Sequence, residues 1–172
     1  MLTAKLIHWA FTFINFINPA ESPKYGLAME TTAEAIARYE SIASDAVEVV
    51  SDEHEQPIYS DDENGREKTL AVLLAIARYE SGGFRKDVDN GTTRGDGGHS
   101  YCIAQVNLRG GHIVVKDDGS FEYSHNAGWT GDDLVKDRKK CFRAALAVLR
   151  ASFRCVHRMS LARKLFDELR LL

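Results

Sequence analysis

The sequence predicts a mainly α-helical domain of the α+β kind with one small β-hairpin. Three observations predict it. Apolar residues recur at helical spacing over long stretches. One hairpin signal stands out, HIVVKDDGSFEY with its Asp118-Gly119 turn. A chain of 172 residues, 44% hydrophobic and 27% charged, is enough for one core and too short for two ordinary domains.

The N-terminal MLTAKLIHWAFTFINFINPAESP has a weak signal-peptide pattern, a lysine followed by an apolar stretch. His8, Asn15 and the lack of a small-x-small cleavage site favour an amphipathic helix with Leu2, Leu6, Trp9, Phe13 and Phe16 on one stripe. Pro19 and Pro23 mark a linker, so residues 1–30 read as a helix and linker ahead of a domain over 31–172. From Thr31 to about Val50, Ile36, Tyr39, Ala43, Val47 and Val50 form the stripe of a second helix. Residues 51–63, rich in acids and turn formers, read as an exposed loop.

Asn64 with Glu67 three residues on is a helix start of the capping-box kind. The helix it opens is apolar nearly all round from Leu70 to Ala77 and belongs in a core. Gly82-Gly83 stops it, and the glycine-rich residues 85–100 form an irregular loop. CIAQVNL at 102–108 is a strand or a helix start. Asp132 or Asp133 caps a long helix to about Arg154, and SLARKLFDELRLL is a last helix.

No apolar run is long enough to span a bilayer, so a soluble protein without a transmembrane span is expected. Charge is uneven: residues 1–135 carry 11 Lys/Arg against 22 Asp/Glu, and residues 136–172 carry 11 against 3. On the long C-terminal helix Lys136, Lys140, Arg143, Arg150 and Arg154 share a face, which reads first as a solvated surface and second as a site for an anionic partner. No aromatic residues interleave with these cations and the rest of the chain is acidic, so nucleic acid is not expected as a partner.

Three cysteines leave one over if a disulfide forms. Cys141 and Cys155 on one helix would lie about 20 Å apart, so only Cys102 can bridge to either. Three buried thiols are an equal alternative. Metal readings are weak. DVDNGTTRGDGG departs from the EF-hand spacing, leaving only a loose calcium site from Asp87, Asp89 and Asp96. His99 and Cys102 with Cys155 and His157 lack the spacing of a zinc site.

AIARYES occurs at 35–41 and again at 75–81, but the flanking residues differ and no structural repeat follows. The two glutamates differ in context. Glu40 lies mid-helix on the flank of a stripe and reads as solvated. Glu80 falls in the last turn of the apolar helix, on the side of Leu73 and Ile76, and opens onto the glycine-rich loop. Burial and the helix dipole would both disfavour its charged form, which suits a general acid. Cleaving a glycosidic bond requires such a group to protonate the leaving oxygen, and loop glycines allow the backbone to approach a sugar chain closely.

ARYESGGF followed some twenty residues later by SYCIAQVN resembles the soluble lytic transglycosylase group of the lysozyme-like superfamily. The stretch from Arg66 to Arg150, with RGDGGHSYC and GWTGDDLVKDRKKCFRAAL, is similar to phage-borne and bacterial members. The resemblance implies a lysozyme-like fold with Glu80 as catalytic acid/base and Ser81, Ser100, Tyr101 and Gln105 as substrate-binding residues. It implies no cofactor and no metal. The substrate implied is the peptidoglycan glycan strand, cut between N-acetylmuramic acid and N-acetylglucosamine. Implied too is a virion-associated or cell-envelope location with phage structural proteins as further partners, and the anionic partner read from the basic helix face would then be a wall polymer.

A single carboxyl closing a 1,6-anhydro ring would suffice, while Asp87, Asp89 or Asp96 would serve a hydrolytic variant. Cys102 stands where the family usually has glycine. The family's late Tyr-Asn-x-Gly motif has no counterpart after the long helix, since YSHNAG at 123–128 precedes it. The rival of a different class is a virion or envelope structural protein that keeps the fold and binds glycan without cutting it.

Overall fold

Apolar residues three and four apart build the helices that carry most of the molecule. The computed structural model describes residues 2–20 and 30–169, with side chains as far as Cys155. Helices α1 (Leu2–Ile17), α2 (Thr32–Ser51), α3 (Gly65–Glu80) and α4 (Lys86–Asp89) come first. Two antiparallel strand pairs follow, β1 (Ser100–Tyr101) with β2 (Val106–Asn107) and β3 (His112–Val115) with β4 (Phe121–Ser124). Helices α5 (Gly131–Lys136) and α6 (Arg138–Leu169) complete the chain. The expected class, mainly helical with a small hairpin, is the one that forms. The β3–β4 turn carries Gly119 at φ +72°, a left-handed position that favours glycine.

Helix α1 forms as expected but turns a different face inward. Ala10 and Ile14 are fully buried, whereas Trp9 is 40% and Phe16 82% exposed. The expected stripe is therefore core-facing only in part: Leu6 and Phe13 pack against the core, while Trp9 and Phe16 turn outward and the small Ala10 admits close packing on α2. Trp9 instead stacks on Phe13, centroids 5.3 Å apart. The end of α1 is pinned to the domain: Asn18 Nδ2 donates to Tyr39 Oη and, at 2.9 Å, to the Gly83 carbonyl, and Arg78 Nε donates to the Ile17 carbonyl at 2.6 Å. Pro23 and the rest of the expected linker at 21–29 lie outside the described residues.

Thr31 opens α2 with a full capping box, its hydroxyl accepting from Glu34 N while the Glu34 carboxylate accepts from Thr31 N. Tyr39, Ala43, Val47 and Val50 are buried as their spacing predicts, and Ala35, Ile42, Ala46 and Val49 join them; Ile36 alone of the expected stripe is exposed. Helix α3 starts after Asn64, but the expected capping box is not made. The Asn64 side chain makes no capping bond, and Asp62 Oδ1 accepts from Asn64 N at 3.0 Å in a turn that precedes the helix. Its core face is Leu70, Leu73, Leu74 and Ala77, with Ala75 exposed, so α3 is buried along one side only.

The single helix expected from Asp132 or Asp133 is two. Thr130 is the cap, bonded reciprocally with Asp133, and the chain breaks at Asp137 before α6 begins. The expected last helix is continuous with α6 to Leu169. Cys102 bridges Cys141 with 6.2 Å between their Cα atoms, and Cys155 is free and exposed.

Of the five cations read as one solvated face, Arg143 and Arg150 are engaged in ion pairs, and the loop read as exposed is what engages them; Lys136 and Arg154 are exposed as expected. Arg150 is only 3% exposed and pairs with the buried Glu55, its Nε also donating to the Gln56 carbonyl at 2.8 Å. Arg143 pairs with Asp52, Lys139 with Glu48, and Arg138 with both Asp45 and Asp89. Among the described residues the acidic body thus pairs with Arg138, Lys139, Arg143 and Arg150 of the basic tail, and burial removes Arg150 from any surface offered to an anionic partner. Among the described residues no helix is long and apolar enough to cross a membrane.

Candidate functional site

The C-terminus of α3 sets the geometry. Ser81 Oγ donates to the Ala77 carbonyl at 2.6 Å and accepts from Phe84 N at 2.8 Å, and Gly83 N donates to the Arg78 carbonyl at 2.8 Å. Gly82 and Gly83, at φ +62° and +94°, let the chain reverse there. Phe84 drops into the core edge-on to Tyr39, with 5.8 Å between centroids. Ser81 is therefore buried, its hydroxyl already committed as donor and acceptor: it shapes the turn.

Glu80 is exposed, and the burial expected for it against Leu73 and Ile76 is not found. The physical reason is the narrow buried face of α3, which runs through Leu70, Leu73, Leu74 and Ala77 and leaves Tyr79 and Glu80 outside it. Among the described residues the Glu80 carboxylate makes no hydrogen bond and no ion pair.

The next acids along the chain are tied down. Asp87 is buried, held by Arg85 and by Thr93 Oγ1 at 2.6 Å; the Arg85 hydrogen bond is the main reason its carboxyl lies below the usual range, with Thr93 adding to it against the cost of burial. Asp89 pairs with Arg138 at 2.8 Å. These pairings remove two ligands of the loose calcium site, and the Cys102 disulfide removes a zinc ligand. Among the described residues no three His, Cys, Asp or Glu side chains gather as for a metal ion.

Residues 95–107 fold into a hydrogen-bonded knot that brings Ser100, Tyr101 and Gln105 together. Asp96 Oδ2 accepts from Ser100 Oγ at 2.6 Å and from Asn107 Nδ2 at 2.9 Å. These two bonds, the Ser100 one first, hold the Asp96 carboxyl below the usual aspartate range. Gln105 closes the loop, Oε1 accepting from Gly95 N at 2.8 Å and Nε2 donating to the Cys102 carbonyl at 2.9 Å. Tyr101 lies flat on Gly131, where an added Cβ would come within 2.1 Å of its ring, and the Arg94 guanidinium covers it at 4.8 Å.

Sequence reading missed the Asp96–Asn107 pair, whose only signal is two Asx residues around a glycine-rich turn. No hydrogen bond, ion pair or ring contact among the described residues links Glu80 to this knot. Of the cavities described, one of about 600 Å³ lies elsewhere, between residues 56–62 and the side chains of Arg150, Phe153 and Arg154.

The arrangement offers a free carboxylate at a rigid helix end and, separately, a stiff polar loop with unsatisfied capacity. The Gln105 amide keeps one N–H and one lone pair, and Asp96 keeps Oδ1. Compared with protein-family models, with curated proteins and with solved structures, the chain matches none.

Proposed function

We propose that the protein cleaves peptidoglycan glycan strands between N-acetylmuramic acid and N-acetylglucosamine, with Glu80 as general acid/base in a lysozyme-like site of the lytic transglycosylase type. The observation that supports this reading is the lack of pairing on one carboxylate: among the described residues Glu80, at the end of α3, makes no hydrogen bond and no ion pair, while Asp87 and Asp89 are locked to arginines. Bound glycan then supplies the desolvation that favours the protonated acid.

In this reading Glu80 gives its proton to the glycosidic oxygen as the bond to the muramic C1 breaks. The resulting carboxylate takes the proton of the muramic C6 hydroxyl while that oxygen bonds to C1, closing the anhydro ring. Atoms balance without water and no cofactor enters. Tyr101 and Gln105 supply sugar contacts from the knot, while the buried Ser100, its hydroxyl on Asp96, keeps the knot in shape as Ser81 does the turn under Glu80. Of the three loop aspartates only Asp96 is exposed and outside an ion pair, so it is the residue to hold a water in a hydrolytic variant.

A second reading, a virion or envelope structural protein that binds glycan without cleaving it, is favoured by the exposure of Glu80, where burial is expected of a general acid, and by the loop bonds at both ends of the Gln105 amide. Turbidity clearing of purified walls separates the two. Wild type clears, Glu80→Gln loses about 10²- to 10⁴-fold in rate, and Glu40→Gln changes little. Equal behaviour of all three proteins supports the structural role. Products ending in anhydro-muramic acid identify transglycosylation, and reducing muramic ends identify hydrolysis.

A further inference from the structure

We infer that the Cys102–Cys141 disulfide is a positioning device for the 95–107 loop: it holds Cys102 in the left-handed backbone region and thereby aims the carbonyl to which Gln105 staples the loop. The inference rests on the proposed glycan reading only for its effect on activity.

Three non-glycine residues of this short loop are left-handed, Asp96 at φ +48°, Cys102 at +60° and Gln105 at +47°. An L-residue takes that conformation against its own preference, and persists there only when its surroundings over-determine it. Each of the three has a tether. Asp96 is tied through its carboxylate to Ser100 and Asn107, and Gln105 through its amide to Gly95 and Cys102. The tether on the Cys102 side chain is covalent, to Cys141, which is fully buried in α6.

The Cys102 carbonyl is the centre of the loop. It accepts from Gln105 N at 3.0 Å and from Gln105 Nε2 at 2.9 Å, and the same side chain reaches back to Gly95 N. The approach at Gly95 is close enough that an added Cβ would lie 2.5 Å from Gln105 Oε1. If Cys102 leaves the left-handed region its carbonyl turns away, and both Gln105 contacts go with it. Reduction by dithiothreitol does this directly: two electrons and two protons convert the disulfide to two thiols, and the reagent leaves as its cyclic disulfide.

Hydrogen exchange at the Gly95 amide reads the staple without reference to activity. Glycine adopts φ near +60° without a tether and alanine does not. Expected is a loss of Gly95 protection of roughly tenfold in Cys102→Ala/Cys141→Ala and in the reduced wild type, with protection within about threefold of wild type in Cys102→Gly/Cys141→Ala. The α3 amides serve as the control for global stability. Retained protection in the alanine variant, equal loss in both double variants, or failure of both to fold each overturns the inference. Wall clearing should follow the same order. If wild type clears no wall while the exchange pattern holds, the glycan reading fails and the positioning role stands.

Discussion

At the scale of single residues, the local chemistry around each candidate decides more than its type. Ser81 and Ser100 look alike in the sequence, yet one hydroxyl holds a helix terminus and the other holds a carboxylate. Asp96 gives the pH-dependent prediction. Its carboxyl is held low mainly by the Ser100 hydroxyl, so its contribution to the loop is present above the ordinary aspartate range and is lost as pH falls through its lowered value. Ser100→Ala should therefore raise the Asp96 titration midpoint toward the ordinary range, read by carboxyl NMR. An unmoved midpoint contradicts the assigned cause. Glu80 was legible as the end of an apolar helix before a glycine pair, but its exposure was not. Facing is set by which side of α3 meets α2, and the pattern of Leu70 to Ala77 is too apolar to show one.

At the scale of elements, ion pairs with the segments before α6 take Arg143 and Arg150 out of the solvated face that charge periodicity implied. Arg150 and Glu55 are 95 positions apart and both buried, so removing one leaves the other without a counter-charge. Arg150→Ala is expected to cost about 3–5 kcal/mol in a denaturant titration. A double-mutant cycle with Glu55→Ala should show that the two losses do not add. Additive losses mean that the pair is not coupled. Residues 51–63 read as exposed because acids, a proline and turn formers mark loops. Local composition holds no information about an arginine that arrives from the far end of the chain. The break at Asp137 was hidden similarly, since residues 132–154 have continuous helical character and the turn depends on the Asp137 carboxylate accepting from Lys139 N at 3.0 Å.

At the scale of the whole molecule, the disulfide joins the polar knot to the helix behind it across a separation of 39 residues. By the loop-entropy relation such a closure stabilises the fold by about 4 kcal/mol relative to the reduced chain. The urea midpoint should fall on reduction, and the slope should rise because the reduced unfolded chain is more expanded. A midpoint that does not move shows that the bridge does not restrain the unfolded chain. The sequence by itself determined the mainly helical class, the places of α1, α2, α3 and the β3–β4 hairpin, and the rule that Cys102 must be one partner of any disulfide. These follow from periodicity, turn chemistry and rise per residue, all local quantities. Only the tertiary structure decided that Cys141 rather than Cys155 is the other partner, that α1 buries Ala10 and Ile14 while Trp9 and Phe16 face outward, that the acidic loop engages Arg143 and Arg150, and that Glu80 stands open. Each depends on which surfaces meet, and a contact between residues tens of positions apart leaves no trace in the local pattern of either.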